Sequence, residues 1–163
     1  MSVADEARET YRQYVQRRRD IEAGKFPWSS LVDFFTDDAV FLDPAWGRTS
    51  GRKNLEEFFE RSMAGLEDWN FPEEWTIVDG YRVVSFYWNR LPGTREDGRP
   101  VQAPGISVLH YAGNGKFSYE MDLLNMAEVG ELFRQSSWRP TGEMFPPPEH
   151  PDRNPAPPGG GAP

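Results

Sequence analysis

Cysteine is absent from all 163 residues, which excludes disulfides and thiolate chemistry. Histidine is almost as scarce. His110 and His150 lie far apart and in no HExxH-type spacing, so a protein metal site would have to be built mainly from carboxylates. No metal and no cofactor is expected. No apolar run reaches the length of about 18 residues that a membrane helix needs, and no signal-peptide pattern is present. The expectation is a soluble, cytoplasmic chain with no membrane partner. Basic residues are outnumbered, 18 Lys and Arg against 26 Asp and Glu, and the net charge of -8 argues against a nucleic-acid partner. The one basic cluster, "QRRRD" at 16–20, falls in a helical pattern and reads as a solvated helix face.

Aromatic side chains are abundant, 14% of the residues, and the length suits one domain with a real core. The spacing predicts a first helix from Ala4 to about Ala23. Tyr11, Tyr14, Val15, Arg18 and Ile21 form its uneven stripe, and Gly24 ends it. "FPWSSLVDFF" predicts a short second helix capped by Ser29 or Ser30, with Leu31, Val32, Phe34 and Phe35 on its apolar side. "AVFLD" reads as a strand and "AWGRTSGR" as a glycine-rich turn. A third helix, about Lys53 to Leu66, opens at Ser50 or Gly51 and carries Leu55, Phe58, Phe59 and Met63 on one face.

From Asp68 the pattern turns to strands: "EEWTIVDG", "YRVVSFYWNRL", "VQAPGISVLHYAG" and "FSYEMDLLN". Pro104-Gly105 predicts a bulge or bend, and "NGK" a tight hairpin turn. The loop "PGTREDGRP" reads as a solvated hairpin or a lid. Asn125 fits the N-cap of a final helix, "MAEVGELFRQ". The domain is placed at 1–139. Residues 140–163 form a Pro/Gly-rich tail with too little apolar area to offset its ordering entropy, so disorder is expected beyond about residue 148. Phe145 and the prolines beside it could still lie across the surface.

The stretch "DDAVFLDPAWG" at 37–47 carries the first hint of chemistry. Asp37 and Asp38 fit a polar turn after a helix. Asp43 stands at the end of an apolar strand, before a proline that stops it, where the chain should be entering the core. The last strand offers a second acid. Its alternation puts Glu120, Asp122 and Leu124 on one face and Tyr119, Met121 and Leu123 on the other. His110 has the parity of the outer sheet face, opposite Ser107 and Leu109.

The blocks "FFTDDAVFLDPAWGRTSGRKNLEEFF" and "APGISVLHYAGNGKFSYEMDLLN", with the α-α-β-α-β-β-β-β order, resemble the nuclear transport factor 2-like superfamily over roughly residues 5–135. That group includes ketosteroid isomerase, limonene-epoxide hydrolase and polyketide cyclases of the SnoaL type. The resemblance implies an α+β fold, in which a curved antiparallel sheet forms a cone around the N-terminal helices. It also implies a pocket for a small hydrophobic molecule and a homodimer through the outer sheet face.

The resemblance implies site residues as well. Asp43 falls where the isomerase has its general base and where the hydrolase has an amide that fixes a water. Asp122 matches the catalytic carboxylate of the hydrolase. Tyr14 is the candidate for the isomerase's tyrosine donor, with Arg17 or Arg18 in its stead if the register differs by a turn. Ser107 stands where the isomerase has a protonated aspartic acid. The hydrolase's Arg-x-Asp pair is missing from the long strand, where Phe86 and Trp88 take the pocket-facing parity. The expected catalytic set is Asp43, Asp122 and Tyr14. The expected substrate-binding set is Phe41, Trp46, Phe58, Phe59, Phe86, Trp88, Ser107, Leu109, Glu120 and Leu124.

Two carboxylates in an aromatic cavity should separate in pKa and supply an acid and a base. The expected function is cofactor-free acid–base catalysis on a small oxygenated polyketide, terpenoid or steroid. Two alternatives stand beside it: a non-catalytic binding or dimerisation module, and an epoxide hydrolase with a modified site. Simpler readings of the residues also stand. Asp43 could only accept hydrogen bonds from its own turn, Glu120 and Asp122 could face solvent, and Tyr14 could be a core residue.

Overall fold

The computed structural model describes residues 1–160, and the last three residues of the expected tail lie outside them. Helix α1 spans Val3–Glu22 and starts in a capping box, with Ser2 and Asp5 each accepting from the other's backbone N–H. Ala7, Tyr11, Tyr14, Arg18 and Ile21 recur at three- and four-residue steps and form its buried face. Arg18 in that face corrects the reading of "QRRRD" as solvated. It lies one turn beyond Tyr14 and points the same way, while Arg17 reaches outward to Asp33 at 3.3 Å.

The second helix is a single 3₁₀ stretch, Trp28–Phe34, preceded by Pro27 and without a side-chain cap. Phe34 ends it, and Phe35 already belongs to strand β1, Phe35–Asp43. Asp37 and Asp38 therefore lie within a strand rather than in a turn. The β1 pairing slips between Phe35 and Val40, which lets both acids face solvent. The "GRTS" part of the expected turn is strand β2, Gly47–Ser50, paired antiparallel with β1. Helix α2 covers Arg52–Ser62 and buries Leu55, Phe58 and Phe59. Strands β3 (Glu73–Asp79), β4 (Arg82–Thr94), β5 (Pro100–Gly113) and β6 (Lys116–Leu124) follow, then α3 (Met126–Gln135). Asn125 caps α3 by accepting from Ala127 and Glu128 N–H. Asn114 and Gly115, both at positive φ, make the tight turn before β6.

The six strands form one sheet in the order β2-β1-β6-β5-β4-β3. It is antiparallel except where β1 meets β6, a parallel pair. Parallel neighbours need a long crossover, and the chain supplies it by running α2 and four further strands between the two. The sheet is curved and open, with α1, the 3₁₀ turn and α2 packed in its hollow.

Two apolar clusters fill that hollow. One joins α1, α2 and β1 around Phe35, Leu55 and Phe117. The other joins Leu66, Trp69, Leu91, Val101, Val129 and Trp138 near α3. Phe35 is fully buried, and each such side chain contributes about 2–3 kcal/mol.

Gly105 makes no bulge, because the β4–β5 register runs unbroken past it. It is needed for a different reason. A Cβ there would stand 2.7 Å from the Tyr87 ring and 2.9 Å from the Asn89 amide. The missing side chain makes room for both on the concave face.

The Pro/Gly-rich segment takes a defined course along the β2 edge. Arg48 N–H donates to Asp152 O at 2.7 Å, its guanidinium bonds the Asn154 and Ala156 carbonyls, and Tyr119 OH donates to Pro155 O at 2.8 Å. Gly47, at φ +81°, lets the tail approach, since a Cβ would run into the Asp152 carbonyl and the Pro151 ring. Gly47→Ala is therefore expected to lower the melting temperature by about 2–10 °C in a thermal denaturation scan, from positive-φ strain plus the clash. An unchanged melting temperature would mean that the tail does not press on this turn.

Candidate functional site

Between the two apolar clusters lies a cavity of about 470 Å³. Its size and its mostly apolar, aromatic lining suit a small organic ligand. Phe41, Trp46, Phe58 and Phe59 come from the first cluster's side, and Leu66, Trp69, Val129 and Phe133 from the second. The polar groups converge from three elements. β6 contributes Glu120 and Asp122, α1 contributes Tyr14 and Arg18, and Asp43 stands at the end of β1.

Each carboxyl has its own hydrogen-bond donor. Tyr14 OH donates to Glu120 Oε2 at 3.0 Å, and Ser107 Oγ donates to Asp122 Oδ1 at 2.5 Å. Asp43 Oδ1 accepts from Ala45 N–H at 2.7 Å and Trp46 N–H at 3.0 Å. Burial pushes all three acids up from their ordinary values. For Glu120 the rise is large, because the Asp122 charge adds to desolvation, and Glu120 holds its proton. Asp122 is pushed up to about 7 by burial, with the Ser107 hydrogen bond pulling down and the Asp43 charge pushing up. For Asp43 burial also dominates, opposed by its two turn N–H bonds. One side chain in this group thus changes charge near neutral pH, in a water-poor site.

Asp43, Asp122 and Tyr14 are brought together around the cavity, as are Phe41, Trp46, Phe58, Phe59, Glu120 and Leu124. Ser107 is one layer back, behind Asp122, and Leu109 is fully buried core beside Glu120. Phe86 and Trp88 are the clear corrections. They lie on the outer sheet face, where Phe86 stacks on Trp75 at 5.5 Å and Trp88 Nε1 donates to Glu74 at 2.7 Å. Val83, Ser85, Tyr87, Asn89 and Leu91 take the inner face instead. The run "VVSFYW" is apolar on both faces, so alternation could not tell inside from outside.

The reasoning from sequence missed Tyr87, Asn89, Trp69 and Phe71, and weighed Arg18 only as an alternative to Tyr14. Gly105, opposite Tyr87, was the signal available for the inner parity. The β4–β5 loop does not line the cavity. Its mouth is edged by Met144, Phe145, Pro146 and Pro147 from the tail. Phe145 stacks on Trp46 at 6.3 Å, with the Arg61 guanidinium 4.0 Å from its ring centroid. Thr141 ties the start of this strap to Gly65 O and Glu67. Among the described residues no helix is long and apolar enough to cross a membrane.

Comparison with known proteins agrees with this geometry. The model of the SnoaL-like domain family matches residues 7–120. No curated protein matches the chain. Among solved structures, a protein from Shewanella putrefaciens CN-32, provisionally assigned as a SnoaL-like polyketide cyclase, superposes with a TM-score of 0.61. It is 18% identical, over 80% of this chain and 86% of its own. A provisionally assigned isomerase from Bacillus subtilis gives 0.60 at 19% identity, over 83% and 98%. TerC, crystallised with polyporic acid, gives 0.56 at 17% identity, over 79% and 98%. At such identities the likeness extends to the fold.

Carboxyl-carbon NMR should show Asp122 titrating with a midpoint at about 7. Asp43→Asn should lower that midpoint by removing a neighbouring charge, and Ser107→Ala should raise it. The folded value lies above the ordinary 3.8, so the associated stability is complete below about pH 3.8 and is lost as the pH rises through 7. Asp122→Asn is accordingly expected to stabilise the fold by about 2–4 kcal/mol at pH 8, and not at pH 3.5, in urea denaturation. Equal effects at both pH values would contradict the buried, proton-holding Asp122.

Proposed function

This chain belongs to the SnoaL-like domain family, and we propose that it is a cofactor-free acid–base enzyme acting on a small, hydrophobic, oxygenated substrate of polyketide, terpenoid or steroid type. The observation that carries the reading is Asp122, a carboxyl in an aromatic cavity whose pKa is lifted to about 7. A proton-transfer group works best when its pKa lies near the operating pH.

In this reading the ionised Asp122 takes a proton from a substrate carbon beside a carbonyl. The electron pair of the C–H bond moves into the conjugated system, and the carbonyl oxygen becomes an enolate. Asp122, now protonated, returns the proton to another carbon, which gives isomerisation, to a leaving oxygen, which gives dehydration, or to the oxygen of a second carbonyl whose carbon the enolate has attacked, which gives cyclisation. Ser107 orients the Asp122 carboxyl through Oδ1. The family resemblance implies the base role for Asp43. The geometry favours Asp122, because Asp43 Oδ1 is held by two N–H groups of its own turn. Asp43 instead raises Asp122 by its charge.

One observation favours the binding-module alternative. Tyr14, the expected donor to a substrate oxygen, donates its hydrogen bond to Glu120 instead. Against it stands the open cavity, which Phe86 and Trp88 do not fill. The epoxide-hydrolase alternative has less support, because Tyr87 and Asn89 stand on the inner face of β4 where an Arg-x-Asp pair is needed.

The outer sheet face supports the homodimer implied by the family. Trp75 is 46% and Ile77 60% exposed there, flanked by Phe86 and Trp88. Light scattering behind size exclusion should give twice the chain mass, and Ile77→Glu should give the monomer. A monomeric wild type would dismiss the dimer.

The test of the activity is solvent deuterium uptake into a panel of cyclic enones and 1,3-diketones, followed by mass spectrometry. Enzyme-dependent exchange is expected with at least one member, and Asp122→Asn should cut it by about 10²–10⁴-fold. Exchange that survives Asp122→Asn, or its absence across the panel alongside tight binding, would favour the binding module.

A further inference from the structure

Arg18 is 7% exposed, lines the cavity, and forms no ion pair among the described residues. This is unusual for a buried guanidinium. It carries five N–H donors and a charge that cannot be given up. Three acids stand near it, yet each is engaged elsewhere. Glu120 accepts from Tyr14, Asp122 from Ser107, and Glu22 from Phe71 N–H at 3.0 Å. The one hydrogen bond Arg18 makes is from Nη2 to Phe71 O at 3.3 Å, and its Cζ lies 5.6 Å from the Tyr87 ring centroid. A charge kept dry, held in position and left without a carboxylate in direct contact is the arrangement of a binding group waiting for an anion.

Its location in the cavity is equally specific. Tyr14 and Arg18 lie one turn apart on α1, and Glu120 and Asp122 lie two residues apart on β6. Tyr14 meets Glu120, so the two rows face each other across the cavity. Asp43 ends β1 and Asp122 lies on β6, its neighbour in the sheet, whereas the Arg18 guanidinium lies over Tyr87 on β4, two strands further on. The order along the cavity is therefore Arg18, then Asp122, then Asp43. The Arg18 end is also lined by Tyr87, Phe71 and Trp28, flat aromatic walls that suit a planar molecule.

We propose that the ligand of this cavity is a flat, mainly apolar carboxylic acid, bound with its carboxylate on the Arg18 guanidinium and its carbon skeleton reaching toward Asp122. This names the substrate class for the proton-transfer reading above and rests on it. Arg18 is then the residue that selects acids over their neutral analogues. The guanidinium fork matches a carboxylate in two parallel hydrogen bonds, and it holds the reacting carbon at a set distance from the Asp122 carboxyl.

The test compares anthracene-2-carboxylate with its uncharged isostere, anthracene-2-carboxamide, by ligand fluorescence at about pH 6.5, where the probe is ionised. The carboxylate should bind wild-type protein about tenfold or more tighter than the amide. Arg18→Met should bring the carboxylate down to the level of the amide and leave the amide unchanged. Arg18→Lys, which keeps the charge but loses the fork, should retain part of the preference, and it serves if Arg18→Met does not fold. The wild-type comparison needs no variant at all.

Equal binding of the two probes to wild type, or a preference that survives Arg18→Met, overturns the proposal. Binding of neither probe overturns it together with the small-molecule reading of the cavity. The two readings also separate. A carboxylate preference in a protein without deuterium exchange leaves the anion site standing and removes the reaction. Exchange in a protein that binds both probes alike removes the anion site alone.

Discussion

Two acids on one face of one strand set the terms for this molecule. The two-residue period of β6 turns Glu120 and Asp122 toward the interior together, and nothing local can separate them. Ionising both in a dry cavity would cost more than the fold can afford. The surroundings resolve this by dividing the roles. Glu120 keeps its proton and accepts from Tyr14. Asp122 is left to titrate, held by Ser107 from the neighbouring strand. The position of α1 follows from this, since Tyr14 must reach Glu120 and Arg18 must lie one turn beyond. So does the β5 register, since Ser107 must stand opposite Asp122. The charged end of the cavity is thus built from the same contacts that make two buried acids tolerable.

The tail adds a second constraint. Residues 144–147 edge the cavity mouth, held by stacking on Trp46, by the cation of Arg61 and by ties at either end. This segment lies beyond residues 7–120, the part shared with the family. Much of the cavity wall lies within the matched residues, whereas Asp122, α3 and the strap lie beyond them. Narrowing the mouth excludes water, and dryness acts on every charge inside in the same direction. It lifts Asp122 toward neutrality, and it strengthens the field that Arg18 exerts on anything placed between them.

Much of this was legible in the residues. The α1 stripe, the "NGK" turn, the Asn125 cap and the β6 parity each depend on a local rule that the tertiary structure does not override. What failed, failed where the local signal was symmetric. "VVSFYW" offers aromatic or branched residues to both faces, so the parity of β4 was unreadable and Phe86 and Trp88 were assigned inward. "GRTS" carries turn residues, yet β1 needed an edge partner and took it. Disorder was expected only beyond about residue 148, and Phe145 was left free to lie across the surface, with no sign in the composition of what it would meet. Phe145 on Trp46 is a contact of two residues far apart in sequence, and no window along the chain contains both. Arg18 drew two readings, a place in the α1 stripe and a place in a solvated cluster, and the stripe is what the structure has. Flanked by two arginines it looked solvated, and only its phase with Tyr14 put it inside.

That phase carries the main functional consequence. A buried arginine is ordinarily tolerated because an acid neutralises it, and here three acids in the same cavity have been given other donors. Had Asp122 paired with Arg18, its carboxyl would have been pulled toward the ordinary range and would be ionised at neutral pH with little basicity left. Had Glu120 paired with it, the proton on Glu120 would have been lost and Asp122 would have faced a full negative neighbour. Keeping Arg18 unpaired therefore preserves the unusual titration of Asp122 and leaves a counter-charge available to whatever enters. The separation of cation from base along one apolar cavity gives an entering molecule two distinguishable ends. It fixes a direction of approach before any contact with the hydrophobic walls has chosen one.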